Sequence, residues 1–214
     1  MAKGITRERI IEAALEVLDE GGADAVTVRA VAQRLGVQAP ALYWHVRGKQ
    51  ELLDEMGTEI QRRVQRRLDA ELSELPEDWR DGMLHYARLL RREYLLHRDG
   101  ARTFSGTRLT DPGVLRAQEP WLARWTIGDV TVADLVAAAE LVTAFVVGFV
   151  IEEQERAQSA VTDPSRYAVA ERDAAIGEDA PLARAAGHER GEDDVRFERQ
   201  LGIVAAGLTV VFGS

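Results

Sequence analysis

Apolar residues recur every three or four positions along most of the chain, and this is the spacing of one face of an α-helix. The first such face consists of Ile10, Ile11, Ala14, Leu15 and Leu18. Thr6 precedes this face as a candidate N-cap, and Gly21 and Gly22 follow it as a helix stop. The pattern gives little support for strands, so we predict an all-α protein of about nine or ten helices.

Two more short helices and a longer one are predicted next. The second helix begins after Thr27, a candidate N-cap, and ends at Gly36, because glycine tolerates the left-handed backbone of a turn. A third helix is predicted from about Gln38 to Val46, with Pro40 in its first turn, where the missing N–H costs no intrahelical bond. A fourth helix covers about 48–68. Two short helices around a glycine turn are typical of a helix-turn-helix, which sets its second helix into the major groove of DNA.

The remaining chain is predicted to be a larger helical body. A helix beyond Pro76 and several short helices lead to a long helix over 132–156. This helix is apolar nearly all round, which implies burial on several sides. Residues 159–194 have weak periodicity and are interpreted as a mobile loop that can hold partial helices. A last helix is predicted over about 195–212.

Composition restricts the class of protein. With 46% hydrophobic and 29% charged residues, the chain suits a soluble, helix-rich protein. It contains no cysteine, which excludes a disulfide framework and fits a reducing cytoplasm. Met1–Gly4 lead into a charged helix, so no secretory signal is expected. The longest uncharged apolar stretch, Leu141–Ile151, is shorter than the about 20 residues that span a bilayer. We expect a cytoplasmic protein.

Charge is distributed unevenly along the chain. The net charge is -9, which opposes binding to DNA phosphates. Residues 1–50, however, hold seven basic and six acidic side chains and so carry +1, which leaves -10 on the rest. This asymmetry predicts a DNA-facing head on an acidic body.

Polar and aromatic side chains cluster around the third predicted helix. They are Gln38, Tyr43, Trp44 and His45. Such side chains pack on sugars, meet thymine methyl groups and donate to phosphates or base edges. Arg29 starts the second helix, within reach of a guanine, and Lys49 follows Gly48, where a phosphate is expected. The alternative is an ordinary helical hairpin without a role in DNA binding.

An ordered series of motifs runs through this segment and beyond it. The motifs are Thr27-Val28-Arg29-Ala30-Val31-Ala32, Leu35-Gly36-Val37, Pro40-Ala41-Leu42-Tyr43-Trp44-His45-Val46, Lys49, His97-Arg98-Asp99-Gly100-Ala101, Gly106-Thr107-Arg108 and Gly148 with Glu152-Glu153-Gln154-Glu155. Together they resemble the tetracycline repressor (TetR) family over nearly the whole chain. The motifs of the body point to the drug-binding tetracycline repressor branch.

The resemblance implies a set of DNA contacts, carried over position by position. The implied residues are Thr27, Arg29, Gln38, Ala39, Pro40, Ala41, Tyr43, Trp44, His45 and Lys49. Ala39 and Ala41 stand where that branch has longer or hydroxylated side chains, so we expect a different operator. Leu42 is expected to be a core residue.

The resemblance also implies the domain organisation. Residues 1–50 would form a three-helix DNA-binding domain with a helix-turn-helix, joined through the linking helix 48–68 to a ligand-binding and dimerisation domain in residues 51–214. The long helix and the last helix would pack against their copies as a four-helix dimer interface. A two-fold dimer would bind a palindromic operator.

The drug site of the branch is changed in this chain. There the drug arrives as a magnesium chelate held by histidine, asparagine, phenylalanine and glutamine side chains. At the matching positions stand Gln65 for a histidine, Tyr86 for the asparagine, Leu90 for the phenylalanine and Phe104 for the metal-ligating histidine. Glu152 remains where the family's second-subunit carboxylate stands, although an exposed helix residue is the plainer interpretation. We expect no magnesium site and no cofactor, since a hard cation needs several convergent oxygen ligands.

Aromatic and aliphatic residues take the place of those polar ligands. They are Tyr86, Leu90, Phe104, Leu109, Trp121, Trp125 and Val136. Each could simply fill a core, but as a group they predict a pocket for a small, planar, apolar effector with a few polar groups. Thr107 and Arg108 are expected to orient it.

The sequence therefore predicts a ligand-responsive transcriptional repressor and not an enzyme. Two alternatives stay open: a ligand carrier or DNA-binding protein without sequence preference, and an enzyme that uses the helical pocket. The four histidines form no close metal-ligand pair, and no nucleophile elbow, P-loop or dinucleotide-binding glycine motif is present. His97 beside Asp99 could indicate acid–base chemistry, but a hydrogen bond that stabilises the loop is the favoured interpretation.

Overall fold

A computed structural model describes residues 5–71, 74, 77–126 and 130–212, and these form helices joined by turns and loops. The α-helices are α1 (Arg7–Gly21), α2 (Val28–Arg34), α3 (Lys49–Ala70), α4 (Trp79–Leu95), α5 (Gly100–Phe104), α6 (Pro112–Arg116), α7 (Glu119–Trp125), α8 (Val132–Thr162), α9 (Val169–Ile176), α10 (Pro181–His188) and α11 (Asp193–Phe212). The all-α prediction is confirmed. The chain divides into two compact units, Met1–Val150 and Ile151–Ser214. The predicted functional division near residue 50 stays a prediction.

The first two helices begin and end where the sequence predicts. The Thr6 side chain accepts a hydrogen bond from the Arg9 N–H, and the Thr27 side chain accepts one from the Ala30 N–H. Each threonine thus satisfies an amide that has no partner within the helix. Gly22 and Gly36 follow with positive φ angles of 77° and 68°, which glycine adopts without steric cost.

The third predicted helix was too long. Instead of a helix from Gln38 to Val46, the structure has a 3-10 helix over Ala39–Ala41, followed by turn residues 42–45. Pro40 lies inside this turn and has no N–H to donate, so the bonds run from the Ala41 N–H to the Gln38 carbonyl and from the Leu42 N–H to the Ala39 carbonyl. The segment is held as a tight turn and not as a regular recognition helix.

A small apolar core stabilises the head, which is the part of the chain up to residue 50. Ile10 and Leu18 of α1, Val31 of α2 and Leu42 are fully buried. Leu42 follows the 3-10 turn directly, so its burial anchors the exposed segment on both sides of it. The predicted core role of Leu42 is confirmed.

Helix α3 joins the head to the rest of the first unit. It is 22 residues long, with Leu52, Met56 and Ile60 fully buried on one face. It packs against α1 near its start and against α4, α5 and α6 further along. The predicted linking helix over 48–68 is therefore present and slightly longer.

The second unit corrects the interpretation of residues 159–194 as a mobile loop. It contains α9 and α10, whose residues contact one another: the Arg172 guanidinium donates to the Ala183 carbonyl, and His188 Nε2 lies 2.7 Å from Asp173 Oδ2. Each of these helices is only eight residues long. A helix this short has too few apolar repeats for the sequence pattern to predict it clearly. Side-chain bonds to carbonyl and carboxylate groups hold them.

Helix α8 is longer than predicted and ends at Thr162. By length and composition it could cross a membrane: its most apolar window has a mean hydropathy of 2.1, with 33% of that window buried. The uncharged stretch 141–151 alone is too short to cross a bilayer, so the sequence did not predict a helix of membrane-spanning length. Core helices of soluble proteins have the same composition, so it is weak evidence for a membrane span.

Leu42 and Tyr43 provide a test of the head's packing. Leu42→Ala should lower the free energy of unfolding by about 2–5 kcal/mol, because it opens a cavity in the core. Tyr43 is 55% exposed, so Tyr43→Ala, the matched control, should cost less than about 1 kcal/mol. Chemical denaturation at fixed protein concentration measures both. Equal losses for the two variants would contradict the packing described here.

Candidate DNA-binding surface and ligand cavity

The predicted DNA-contacting residues lie in and around the 3-10 turn, and most are exposed. Trp44 is 91% exposed and Tyr43 55%, which is unusual for large aromatic side chains without a partner surface. Arg29, Gln38 and Lys49 are also exposed, whereas Ala39, Ala41 and His45 are partly buried. The Thr27 hydroxyl accepts the cap hydrogen bond of α2 from the Ala30 N–H, and a hydroxyl that accepts can still donate its own proton.

Arg7 ties this turn to two helices, a role that the sequence analysis missed. Its guanidinium forms an ion pair with the Glu55 carboxylate of α3 and donates to the His45 carbonyl over 3.0 Å. Glu55 is buried, so its charge needs this partner. Because Arg7 and Glu55 are 48 positions apart, no local sequence pattern predicts their pairing.

A large cavity lies in the first unit between α3, α4, α5, α7 and α8. Its volume is about 750 Å³, within the range of small-molecule sites. Eight of the predicted ligand residues line it: Gln65, Tyr86, Phe104, Thr107, Leu109, Trp121, Trp125 and Val136.

Three predicted ligand residues do not line this cavity. Leu90 is fully buried in the core. The Arg108 side chain is not part of the wall, although the Arg108 N–H donates to Asp54 Oδ1 over 3.1 Å. Glu152 belongs to the second unit, where Arg190 donates to it over 2.8 Å and thereby lowers the pKa of Glu152. Glu152 is an exposed residue of α8, as the plainer interpretation expected, and it is paired with Arg190.

The sequence analysis also missed part of the wall. Helix α3 contributes Gln61, Val64, Gln65 and Leu68, and α8 contributes Leu135, Val136, Ala139, Glu140, Thr143, Ala144, Val147 and Gly148. Both sets follow helical spacing of three and four. Extending Gln65 and Val136 along their own helix faces would have found them.

Most polar groups in the wall are already bonded to protein. Tyr86 Oη lies 3.2 Å from Thr143 Oγ1, and Gln65 Nε2 donates to Asp69 and to the Ala117 carbonyl. Burial raises the pKa of Tyr86, against the smaller effect of the Thr143 hydrogen bond, so the phenol stays neutral at physiological pH. The cavity thus offers a mainly apolar surface.

The resemblance to the family implies that Phe104 stands at the position of its metal-ligating histidine. Phe104 lies in the wall, 4% exposed, and its ring has no atom that coordinates a cation. Within the described ranges, no group of three or more His, Cys, Asp or Glu side chains is placed to hold a metal ion.

Phe104 also connects the cavity to the head. Its ring meets His97 edge-on, with centroids 6.1 Å apart. His97 Nδ1 lies 3.0 Å from the Asp19 carboxylate of α1, and His97 Nε2 lies 3.2 Å from Arg63 Nη1. A guanidinium can only donate, so Nε2 accepts and Nδ1 carries the proton towards Asp19. The hydrogen-bonding role expected of His97 is present, with Asp19 as its partner.

The neighbouring Asp99 makes a second connection to the head. Its carboxylate accepts a hydrogen bond from the Ala23 N–H over 3.1 Å, just beyond the end of α1. Arg98 adds a bond from its guanidinium to the Glu20 carbonyl. The segment between α4 and α5 therefore contacts the end of α1 through three consecutive residues.

Comparisons with known proteins cover both parts of the chain. Residues 10–56 match the family "Bacterial regulatory proteins, tetR family", and residues 72–212 match "Tetracyclin repressor-like, C-terminal domain". A curated relative, the tetracycline repressor protein class D of Escherichia coli, is 38% identical over 159 residues, 74% of this chain and 71% of the relative.

Solved structures with the same fold include two ligand complexes. A variant of TetR from Acinetobacter baumannii AYE in complex with minocycline has a TM-score of 0.69 and 30% identity, covering 98% of this chain and 99% of that one. ActR from Streptomyces coelicolor in complex with actinorhodin has a TM-score of 0.73 and 27% identity, covering 98% of each chain.

Gly82 tests the packing of the cavity wall. A Cβ atom there would overlap the indole of Trp125, so Gly82→Ala should displace this ring and cost about 1–3 kcal/mol of unfolding free energy. Gly48→Ala is the matched control, since its Cβ would meet nothing within 4 Å. Denaturation followed by tryptophan emission measures both. If Gly82→Ala were no less stable than Gly48→Ala, Trp125 would not pack as described.

Proposed function

The chain belongs to the TetR family of regulatory proteins, and from this premise we propose that it is a cytoplasmic, ligand-responsive transcriptional repressor. It binds a palindromic operator as a homodimer and is released by a small, planar, mainly apolar effector without magnesium chelation. The observation that carries the proposal is the combination in one unit of an exposed aromatic DNA-binding turn and an apolar cavity of about 750 Å³.

The proposed DNA contacts divide into two groups. Tyr43 and Trp44 present flat, exposed rings suited to the sugar–phosphate backbone and thymine methyl groups, with Lys49 for a phosphate. Arg29 and Gln38 are the long polar side chains suited to base edges. Ala39 and Ala41 are short, so base recognition depends on few side chains.

The homodimer is supported by apolar side chains that face outward on α8 and α11. Leu141 on α8 is 51% exposed, and on α11 Ile203 and Val210 are 67% and 84% exposed. Such residues are unfavourable in water unless a partner covers them. Packing of both helices against the partner also accounts for the apolar character of α8.

Release by ligand is proposed as a population shift. The cavity shares α3 with the head and reaches Asp19 through Phe104 and His97. A ligand that fits the cavity better when these contacts are rearranged favours dimers whose heads are wrongly spaced for the operator. The minocycline and actinorhodin complexes of similar proteins support a ligand of comparable size.

The DNA-binding role is tested with Arg29→Ala. We expect an intact fold and a loss of about 1–3 kcal/mol of operator affinity, the value of a bidentate arginine–guanine contact. The operator is first selected from random DNA, and affinity is then titrated at fixed salt. Arg102→Ala is the matched control, because Arg102 is an exposed arginine of α5 that is not among the proposed DNA contacts. Unchanged specific binding by Arg29→Ala would refute the assignment, and binding without sequence preference would favour a nonspecific DNA-binding protein.

The effector class is tested with a panel of polycyclic compounds, with and without a metal chelator. Because Phe104 offers no metal ligand, compounds that dissociate the operator complex should act equally well when the chelator is present. Operator release is followed by fluorescence anisotropy of labelled DNA. If tetracycline with magnesium were the sole active compound, the interpretation of Gln65 and Phe104 would be wrong.

A further inference from the structure

Charge in the cavity wall is of one sign. Among the lining residues of the described chain, Glu140 is the one charged side chain, and no arginine, lysine or histidine is present. Arg108 lies between two lining residues in sequence, yet it does not join the wall. An anionic ligand group would lose its hydration here without gaining a positive partner, which is strongly unfavourable.

The hydrogen-bonding groups elsewhere in the wall do not replace the missing positive partner. Thr107 Oγ1 donates to the Phe104 carbonyl over 2.8 Å, and the Tyr86 and Gln65 side chains are engaged as described above. Because these side chains are already hydrogen-bonded to protein, they have little capacity to solvate a buried charge, whether positive or negative. A charged group of the ligand is therefore best placed at the rim.

Glu140 is suited to receive a positive charge at that rim. It is exposed, and it lies one helical turn from Val136 and from Ala144, which also line the cavity. Within the described ranges it forms no hydrogen bond or ion pair, unlike the neighbouring acid Asp134, which is bonded to Thr131. Its carboxylate is thus available to a ligand at no cost in protein contacts.

Aromatic rings complete the site. The rings of Trp121 and Trp125 lie 5.5 Å apart and tilted by 54°, and Tyr86 and Phe104 line the cavity with them. The faces of such rings attract cations as well as flat apolar groups. The wall therefore favours a positive charge and an aromatic body in the same ligand.

We propose that the effector is cationic: an aromatic body packs against Trp121 and Trp125, and a protonated amine lies at the rim beside Glu140. This inference rests on the proposed function of the cavity as the effector site and adds the charge class of the effector.

The test uses three anthracene probes that differ in one substituent at the same ring carbon: aminomethyl, hydroxymethyl or carboxylate. Binding to DNA-free protein is followed by quenching of tryptophan emission at neutral pH and fixed salt. The wild type is compared with Glu140→Gln. The matched control is Glu119→Gln, because Glu119 is an exposed residue of α7, the helix of Trp121 and Trp125, but does not line the cavity.

We expect the aminomethyl probe to bind about tenfold more tightly than the hydroxymethyl probe, and the carboxylate probe to bind most weakly. Glu140→Gln should remove the preference for the aminomethyl probe and leave the hydroxymethyl affinity unchanged, whereas Glu119→Gln should keep the full order. Equal or tighter binding of the carboxylate, an unchanged preference in Glu140→Gln, or no binding by any probe would overturn the proposal.

Adding labelled operator separates this inference from the proposed function. If the aminomethyl probe binds in the expected order but the operator complex persists at saturation, the cavity is not the effector site while its charge preference stands. If the hydroxymethyl probe releases the operator at concentrations as low as those of the aminomethyl probe, the proposed function stands and the charge class is wrong.

Discussion

Helix α3 is the element on which the rest of the first unit depends, because one continuous helix carries both the anchor of the head and a wall of the cavity. Near its start, Glu55 binds the Arg7 guanidinium, which also holds the His45 carbonyl. In its second half, Val64 and Gln65 line the cavity. At 1.5 Å per residue, 22 residues span about 33 Å. A helix resists bending, so a displacement at one end reaches the other.

A second connection runs in parallel and makes the coupling specific. Phe104 contacts His97, His97 binds Asp19, and Asp99 binds the Ala23 N–H. The two routes meet the head at opposite ends of α1, at Arg7 and at the Asp19–Ala23 segment. A shift of α5 relative to α3 would therefore act differently on the two ends of α1. In the proposed homodimer, ligand fit to the shifted arrangement would change the population of dimers that can bind DNA.

Local signals in the sequence were sufficient for the caps, the turns and the first core. Thr6, Thr27 and Gly36 act through their immediate neighbours, so their roles follow from residue type and position. Pro40 was placed correctly, but a 3-10 turn formed where a full helix was predicted, because local propensity does not fix hydrogen-bond register. The helices of residues 159–194 were predicted only as partial helices in a mobile loop, because side-chain bonds to carbonyl and carboxylate groups help to hold them.

The cavity was also predicted only in part, because residues that are distant in sequence form its wall. The resemblance supplied positions such as Gln65, Phe104 and Trp125, and these do line one cavity. It failed at Leu90 and Arg108, because whether a helix residue faces a cavity or the core depends on the packing of its neighbours. Glu140 was not found because an isolated carboxylate on an apolar helix has no local signal of function. The ion pair between Arg7 and Glu55 likewise has no local signal in the sequence.

Movement of the DNA-binding heads on occupancy of the cavity, which we propose, is tested directly by one distance measurement. The chain has no cysteine, so Gln33→Cys gives a single spin-label site at an exposed position of α2. In the proposed dimer, pulsed electron resonance without DNA would give the distance between the two heads, with and without a saturating compound that releases the operator. We expect a shifted distance distribution when the compound is bound. An unchanged distribution, with the operator still released, would contradict it.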